Sequence, residues 1–398
     1  MKRLIFNRHI SGGLLVAAIL CVWCVWTQGT LPNVVTYAGE GDPLQKRWEW
    51  ALGEAAAGGY DHGFWIGYSI TKWIGENEFY GDDCIRRRES GRTIEELIGG
   101  RRFKEEGTDE EDELKRATLL ALWNLGDEKA ISKLREEGFW NEGRVEKEVA
   151  ILLLYEMEKA APRLEDVEIR RIDQRFDPEG YALFWLGHAG DEQSIDLLWD
   201  RLGDADGTAL QKRIVTAVGI HHTPEHVVPV LEKVACGDYG KKVRGDAIFW
   251  LGQQEGRESV TVLKRLVREE EDAKLREKVI FSLHCHDGDE AISVLADAAR
   301  TDRSTKVRKN AVFWLGQMAA RKTLDILSEV AFDSDETEIQ EHAVFAISQH
   351  SDREAVPMLI EIAKKHRNPQ VRKKAIFWLG QTDDERALNF FVELLRDE

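Results

Sequence analysis

Ser69 and Lys72 spell S-x-x-K, the spacing at which a lysine amine one helical turn from a serine hydroxyl can activate it as a nucleophile. No K-T-G accompanies them, so the pattern is a short match and no catalytic residue is assigned to it. His221, His222, His226, His284 and His286 gather at two turns. A metal ion needs three or four ligands within about 2.0–2.3 Å, and a further helical segment separates these turns. Turn polarity is the better account, and no metal or cofactor is expected. Asp204-Ala205-Asp206-Gly207 opens like a calcium loop, but Arg213 stands where a closing carboxylate is required. Cys84, Cys236 and Cys285 are odd in number and widely spaced, which gives neither a disulfide framework nor a zinc site.

The elements that must position these side chains are repetitive. FWLGH at Phe184 and FWLGQ at Phe249, Phe313 and Phe377 recur at spacings of 65, 64 and 64 residues. FSLHC at Phe281 and FAISQ at Phe345 halve that period to 32. One apolar column results: Leu122, Leu154, Leu186, Val218, Leu251, Leu283, Leu315, Ile347 and Leu379. Every step is 32 except one of 33, whose extra residue falls near His221–Thr223. Apolar residues eight and four before the column, such as Val307 and Ala311, complete a helical stripe. A second apolar position twelve residues after it (Leu198, Leu263, Leu295, Leu327, Leu359) marks a second helix beyond a short turn. Such a unit buries its apolar face only by stacking on its neighbours. The period therefore predicts an all-α chain, a right-handed α-solenoid of about nine helix pairs over residues 108–398. It opens on the Thr108/Glu111 capping-box pattern.

Val243-Arg244 through Ala247, Leu251 and Gly252, and the matching helices at Val307-Arg308 and Val371-Arg372, resemble the VRxxAAxALG helix of the short HEAT-like repeats first described in phycobilisome lyases. Gln340 replaces the arginine in one copy, and His284 and Ser348 replace the glycine in two. The resemblance implies a helix-pair array whose column helices line a concave surface. It does not imply lyase chemistry, because the repeat is shared by many non-enzymatic scaffolds. Some HEAT-like enzymes, the deoxyhypusine hydroxylases, hold iron through His-Glu dipeptides; this chain has none.

At 100° per residue the position two before the column lies opposite the core stripe. It is phenylalanine in six copies: Phe184, Phe249, Phe281, Phe313, Phe345 and Phe377. Beside it, two residues after the column, stand His188, Gln253, Gln317, Gln349 and Gln381. Aromatic anchors next to hydrogen-bonding groups characterise interfaces, so these eleven residues form the candidate partner-binding face. Packing of the rings on neighbouring helices, or filling of the groove by the chain itself, are the competing readings. The position just before the column alternates large and small: Trp185, Ala217, Trp250, Ser282, Trp314, Ala346, Trp378. This is volume complementarity between neighbouring repeats, and it makes the true unit a double repeat of 64 residues.

Residues 30–107 do not follow the period and are expected to form a small aromatic N-terminal cap. Phe64, Ile66, Tyr68 and Ile70 alternate there as in a strand. Lys2, Arg3 and Arg8 followed by the uncharged run Ile10–Trp26 read as a signal peptide or signal anchor over residues 1–29. The repeats are therefore expected in the periplasm or outside the cell, either free or held by a single N-terminal membrane anchor. A formal charge of −17 argues against nucleic acid as partner. The function expected is a non-catalytic extracytoplasmic scaffold that binds a protein partner on the concave face. The alternatives are a small-molecule or pigment carrier using the phenylalanine-lined groove, and an enzyme with its site in the N-terminal region.

Overall fold

The computed structural model of the chain describes residues 34–39, 41–58, 60, 62–75, 92–99, 140–141, 144–158, 161–286, 288–318 and 321–396. The basic and apolar leader, Leu122, Cys84 and the Thr108/Glu111 pattern lie outside these residues. Among the described residues no helix is long and apolar enough to cross a membrane. The chain divides into two units, residues 1–189 and 190–398.

The first unit is built on a sheet. Its described elements are β1 (Val34–Thr36), α1 (Leu44–Ala57), β2 (Phe64–Gly75), β3 (Arg92–Thr93), α2 (Ile94–Leu97), β4 (Trp140–Asn141), β5 (Arg144–Glu158), β6 (Ala161–Arg171), β7 (Arg175–Phe176) and β8 (Ala182–His188). The strand order is β1-β8-β2-β5-β4, with β6 also paired to β5. β8 runs parallel to β1 and β2, while β5 is antiparallel to β2. The strand expected at Phe64–Ile70 is the start of β2, in the middle of the sheet and buried on both faces. One face carries Phe64, Tyr155 and Phe184, whose rings lie 5.6–5.7 Å apart, against Trp48 of α1. The other packs Trp65, Leu152, Leu183 and Trp185 against Ile94, Ile172 and Phe176. Arg47 ties α1 to the sheet by donating to the carbonyls of Leu186 and His188 at 2.6 and 2.7 Å.

These strands correct the extent of the array. Leu154 and Leu186, two members of the apolar column, lie in β5 and β8. Among the described residues the helix pairs therefore start at Asp191, and six complete pairs stand there where nine are expected for the chain. The same pentapeptide word folds two ways. In the helical copies a Val-Arg start precedes it by six residues, whereas Pro178, Glu179 (φ 54°) and Gly180 (φ 86°) precede Phe184. A left-handed turn there breaks any helix.

The second unit is the predicted α-solenoid: α3 (Asp191–Asp204), α4 (Thr208–Gly219), α5 (Pro224–Cys236), α6 (Lys241–Gln253), α7 (Arg257–Glu269), α8 (Ala273–His284), α9 (Asp289–Thr301), α10 (Thr305–Gln317), α11 (Arg321–Asp333), α12 (Thr337–Ser348), α13 (Asp352–Lys365), α14 (Pro369–Leu379) and α15 (Glu385–Arg396). Val218, Leu251, Leu283, Leu315, Ile347 and Leu379 sit on α4, α6, α8, α10, α12 and α14, each no more than 1% exposed. Leu231, thirteen residues after Val218, takes the place held by Leu263, Leu295, Leu327 and Leu359, so the turn at 220–223 absorbs the extra residue.

The arginines that follow Val243, Leu275 and Val307 join the turns. Arg276, 2% exposed, donates to both carboxylate oxygens of Asp302 at 2.8 and 3.0 Å, and to the carbonyls of Glu270 and Glu271. Arg244 pairs with Glu270 and Arg308 with Glu336 in the same way, each acid lying one repeat on. Gln340, which replaces the arginine in one copy, bonds only its own turn, at the carbonyl of Ser334.

Candidate docking face of the helical array

Consecutive column helices α4 to α14 lie closely against one another, while the alternate helices touch each other far less. The more tightly spaced layer is the inside of the curve, so the column helices form the concave layer. They are kept close by small residues. A side chain added at Gly219, Gly252 or Gly316 would run into Trp250, Ser282 or Ala346 of the following repeat.

The large-and-small alternation is a seam between neighbouring repeats. Trp250 covers Gly219 and reaches Thr216 Oγ1 with its Nε1 at 3.4 Å. Trp314 stacks on His284, with ring centroids 4.3 Å apart. Ser282 and Ala346 fill the intervening seams, where the glycines bring the helices closest. Trp185 is not part of this series: it is buried in β8 and packs beside Gly67.

The phenylalanine column stands outside that seam. Phe249, Phe281, Phe313 and Phe377 are 37%, 37%, 38% and 54% exposed on the concave layer, and Phe345 is half-buried against Trp378. Phe249 and Phe281 stack on each other at 6.3 Å, and Phe313 and Phe377 each meet the edge of the tryptophan that follows them. Gln253, Gln317, Gln349 and Gln381 are exposed beside the rings. Phe184 and His188 are corrections. Phe184 is 1% exposed within the sheet's aromatic cluster, and His188 ends β8. Neither belongs to this face.

Cys285 holds the place of the glutamines in its repeat and accepts from Gln253 Nε2 at 3.4 Å; burial pushes its thiol up from the ordinary value. Lysines before the rings also share the face. Lys309 holds the Glu338 carboxylate below its usual range, at 2.6 Å. Burial and then Lys309 lower the His342 imidazole. Reasoning from net charge missed these lysines; charge tallied helix by helix would have found them.

The chemical patterns are taken apart by the fold. Ser69 and Lys72 lie on β2, where an odd spacing sends side chains to opposite faces. Ser69 is buried and donates to Glu148, whose Oε1 lies 4.0 Å from His188 Nδ1. The serine–lysine contact that nucleophile activation needs is thus not formed. His221 is buried between Ser194 Oγ at 2.8 Å and the Val218 carbonyl at 3.1 Å, which occupies both ring nitrogens. Among the described residues no three His, Cys, Asp or Glu side chains converge to hold a metal ion. Asp204 ends α3, and Ala205–Gly207 form the turn to α4.

Residues 324–398, which hold most of α11 and all of α12 to α15, match the family described as HEAT repeats. Residues 324–398 are HEAT repeats. The phycocyanin lyase CpcE–CpcF complex from a Nostoc species is 23% identical over 38% of this chain and 96% of its own, with a TM-score of 0.29. YibA of Escherichia coli is 20% identical over 50% of this chain and 74% of its own, at 0.31. Human deoxyhypusine hydroxylase, solved with glycerol, is 18% identical over 51% and 76%, at 0.26. Comparison with curated protein sequences returned no match. The exposed rings mark where the array presents apolar surface.

Proposed function

We propose that this protein is a non-catalytic scaffold that grips a protein partner along the concave layer of its array. One observation carries the reading: four phenylalanines, one per repeat or alternate repeat, each more than a third exposed in a single row. Leaving such rings in water forgoes the burial that stabilises a fold, and contiguous apolar patches of this kind mark interaction sites. The amides of Gln317 and Gln381 beside them offer donors and acceptors to a bound backbone. We further propose that it works outside the cytoplasm, on the order of charges in residues 1–26.

Peptides selected by display on the whole chain test the docking face. They should bind the wild type and fail on the Phe249→Ala, Phe313→Ala, Phe377→Ala triple variant, which should remain folded by circular dichroism. Retention of the same peptides by the folded triple variant would place the site elsewhere. An alkaline phosphatase fused after Glu398 should be active if the array is exported, and inactive if it stays in the cytoplasm.

A further inference from the structure

The chain is acidic, yet its two helix layers carry opposite charge. The column helices α4, α6, α8, α10, α12 and α14 hold 14 Lys and Arg against 4 Asp and Glu; the alternate helices from α3 to α15 hold 14 against 20. Relative to the column residue, positions −9, −6 and −5 fall on the same side of the helix as the phenylalanine at −2. Lys242, Lys274, Lys278, Lys373 and Lys374 occupy them.

Three of the four acids on these helices are already engaged. Asp246 pairs with Lys212 at 3.1 Å, Glu277 with Lys306 at 2.8 Å and Glu338 with Lys309 at 2.6 Å. Among the described residues no acid pairs with Lys242, Lys274, Lys278 or Lys373, all of them exposed. The concave layer is therefore a row of aromatic rings flanked by cations without counter-charges.

We propose that the partner is an acidic peptide segment, apolar side chains alternating with carboxylates, laid along this row; the proposal rests on the docking face argued above. Helix axes packed about 8–10 Å apart correspond to roughly three residues of extended chain. The repeats of α6, α8 and α14 then each offer one exposed ring and at least one unpaired lysine per three residues of ligand, whereas α12 carries no lysine or arginine. The acidic alternate helices repel such a segment from the other layer and steer it to this one. A single-stranded nucleic acid would need free ring faces for its bases. Phe249 and Phe281 instead stack on each other at 12°, and Phe313 and Phe377 meet tryptophan edges. The peptide is favoured.

The test is fluorescence anisotropy with the full chain and four labelled probes. These are a 16-residue peptide alternating Glu with Leu and Phe, the same peptide with Ser for Glu, the same with Lys for Glu, and oligothymidine. The acidic peptide should bind best and weaken about tenfold or more as salt rises through the range where the Debye length shrinks below 10 Å. Combining Lys242→Glu, Lys274→Glu, Lys278→Glu and Lys373→Glu should abolish its binding and confer binding of the lysine peptide, a gain that misfolding cannot produce. Equal binding of the serine peptide, lost in the phenylalanine triple variant, would overturn acid selectivity and keep the docking face. Tighter binding of oligothymidine would overturn the peptide class. Failure of every probe would sink both readings.

Discussion

Substituting Gly219 by alanine sets two effects of opposite sign against each other. Gly219 is the last residue of α4, with an ordinary helical backbone. Alanine there gains helix propensity of at most about 1 kcal/mol. The added Cβ, however, would lie 2.7 Å from Cε3 of Trp250 and closer still to Cγ and Cδ2, where carbon atoms rest about 3.5–4.0 Å apart. These are the atoms nearest the tryptophan backbone, and Trp250 is 5% exposed, so the indole cannot swing aside. Overpacking of a seam costs about 1–3 kcal/mol, which outweighs the propensity gain and leaves a net loss of about 1–2 kcal/mol. In a unit of this length that is a fall in Tm of about 2–8 °C. Gly203, in α3 with nothing within 4 Å of an added Cβ, is the control; its alanine variant should be unchanged or gain up to about 1 kcal/mol. Urea and thermal unfolding followed by circular dichroism measure both. Adding Trp250→Leu to Gly219→Ala should recover part of the loss. If Gly219→Ala proves as stable as Gly203→Ala, the seam is loose and the argument from volume fails.

The core column and the ring column should separate in the same assay. Leu315→Ala, at a fully buried site, should cost about 2–5 kcal/mol, and Phe313→Ala clearly less. Arg276→Ala leaves Asp302 charged and buried, and should cost about 3–5 kcal/mol, while Arg276→Met with Asp302→Leu should restore most of it. Acidification should destabilise the array. Burial holds the imidazoles of His284, His342 and His350 below their ordinary value, so the unfolded chain takes up more protons. Stability is full above about pH 6.5 and is lost as pH falls below it toward the folded values. Melting curves between pH 7.5 and 5.5 should show that decline, and it should shrink when the three histidines are replaced by glutamine.

The helical half of the chain was legible because its signal is redundant. Column and stripe agree in each copy from Val243 onward, with an arginine start in all but the Gln340 copy, and a 3.6-residue period maintained over many repeats leaves little alternative. The first copies failed for a local reason. Phe184-Trp-Leu-Gly-His is a short apolar word that suits a buried strand as well as a helix, and the run Val149–Tyr155 is apolar on both faces, as the interior of a sheet requires. Pro178 and Gly180, inside what would have been the first turns of a helix, were the warning. The docking face was half legible: the angular argument placed Phe249, Phe313 and Phe377 on the open side. Total charge could not reveal the lysines around them, because a chain-wide sum averages two layers of opposite sign.

The alternating seam also constrains how such a chain can lengthen or shorten. Trp314 lies against Phe281, and Trp378 against Phe345, each indole reaching into a preceding repeat that brings a small residue to its own seam. Removing or duplicating a single repeat would set two indoles side by side in consecutive repeats, or leave two small residues facing a void. Removing or duplicating two together restores the original neighbours everywhere. Gene duplications that preserve the seam are therefore expected in blocks of 64 residues.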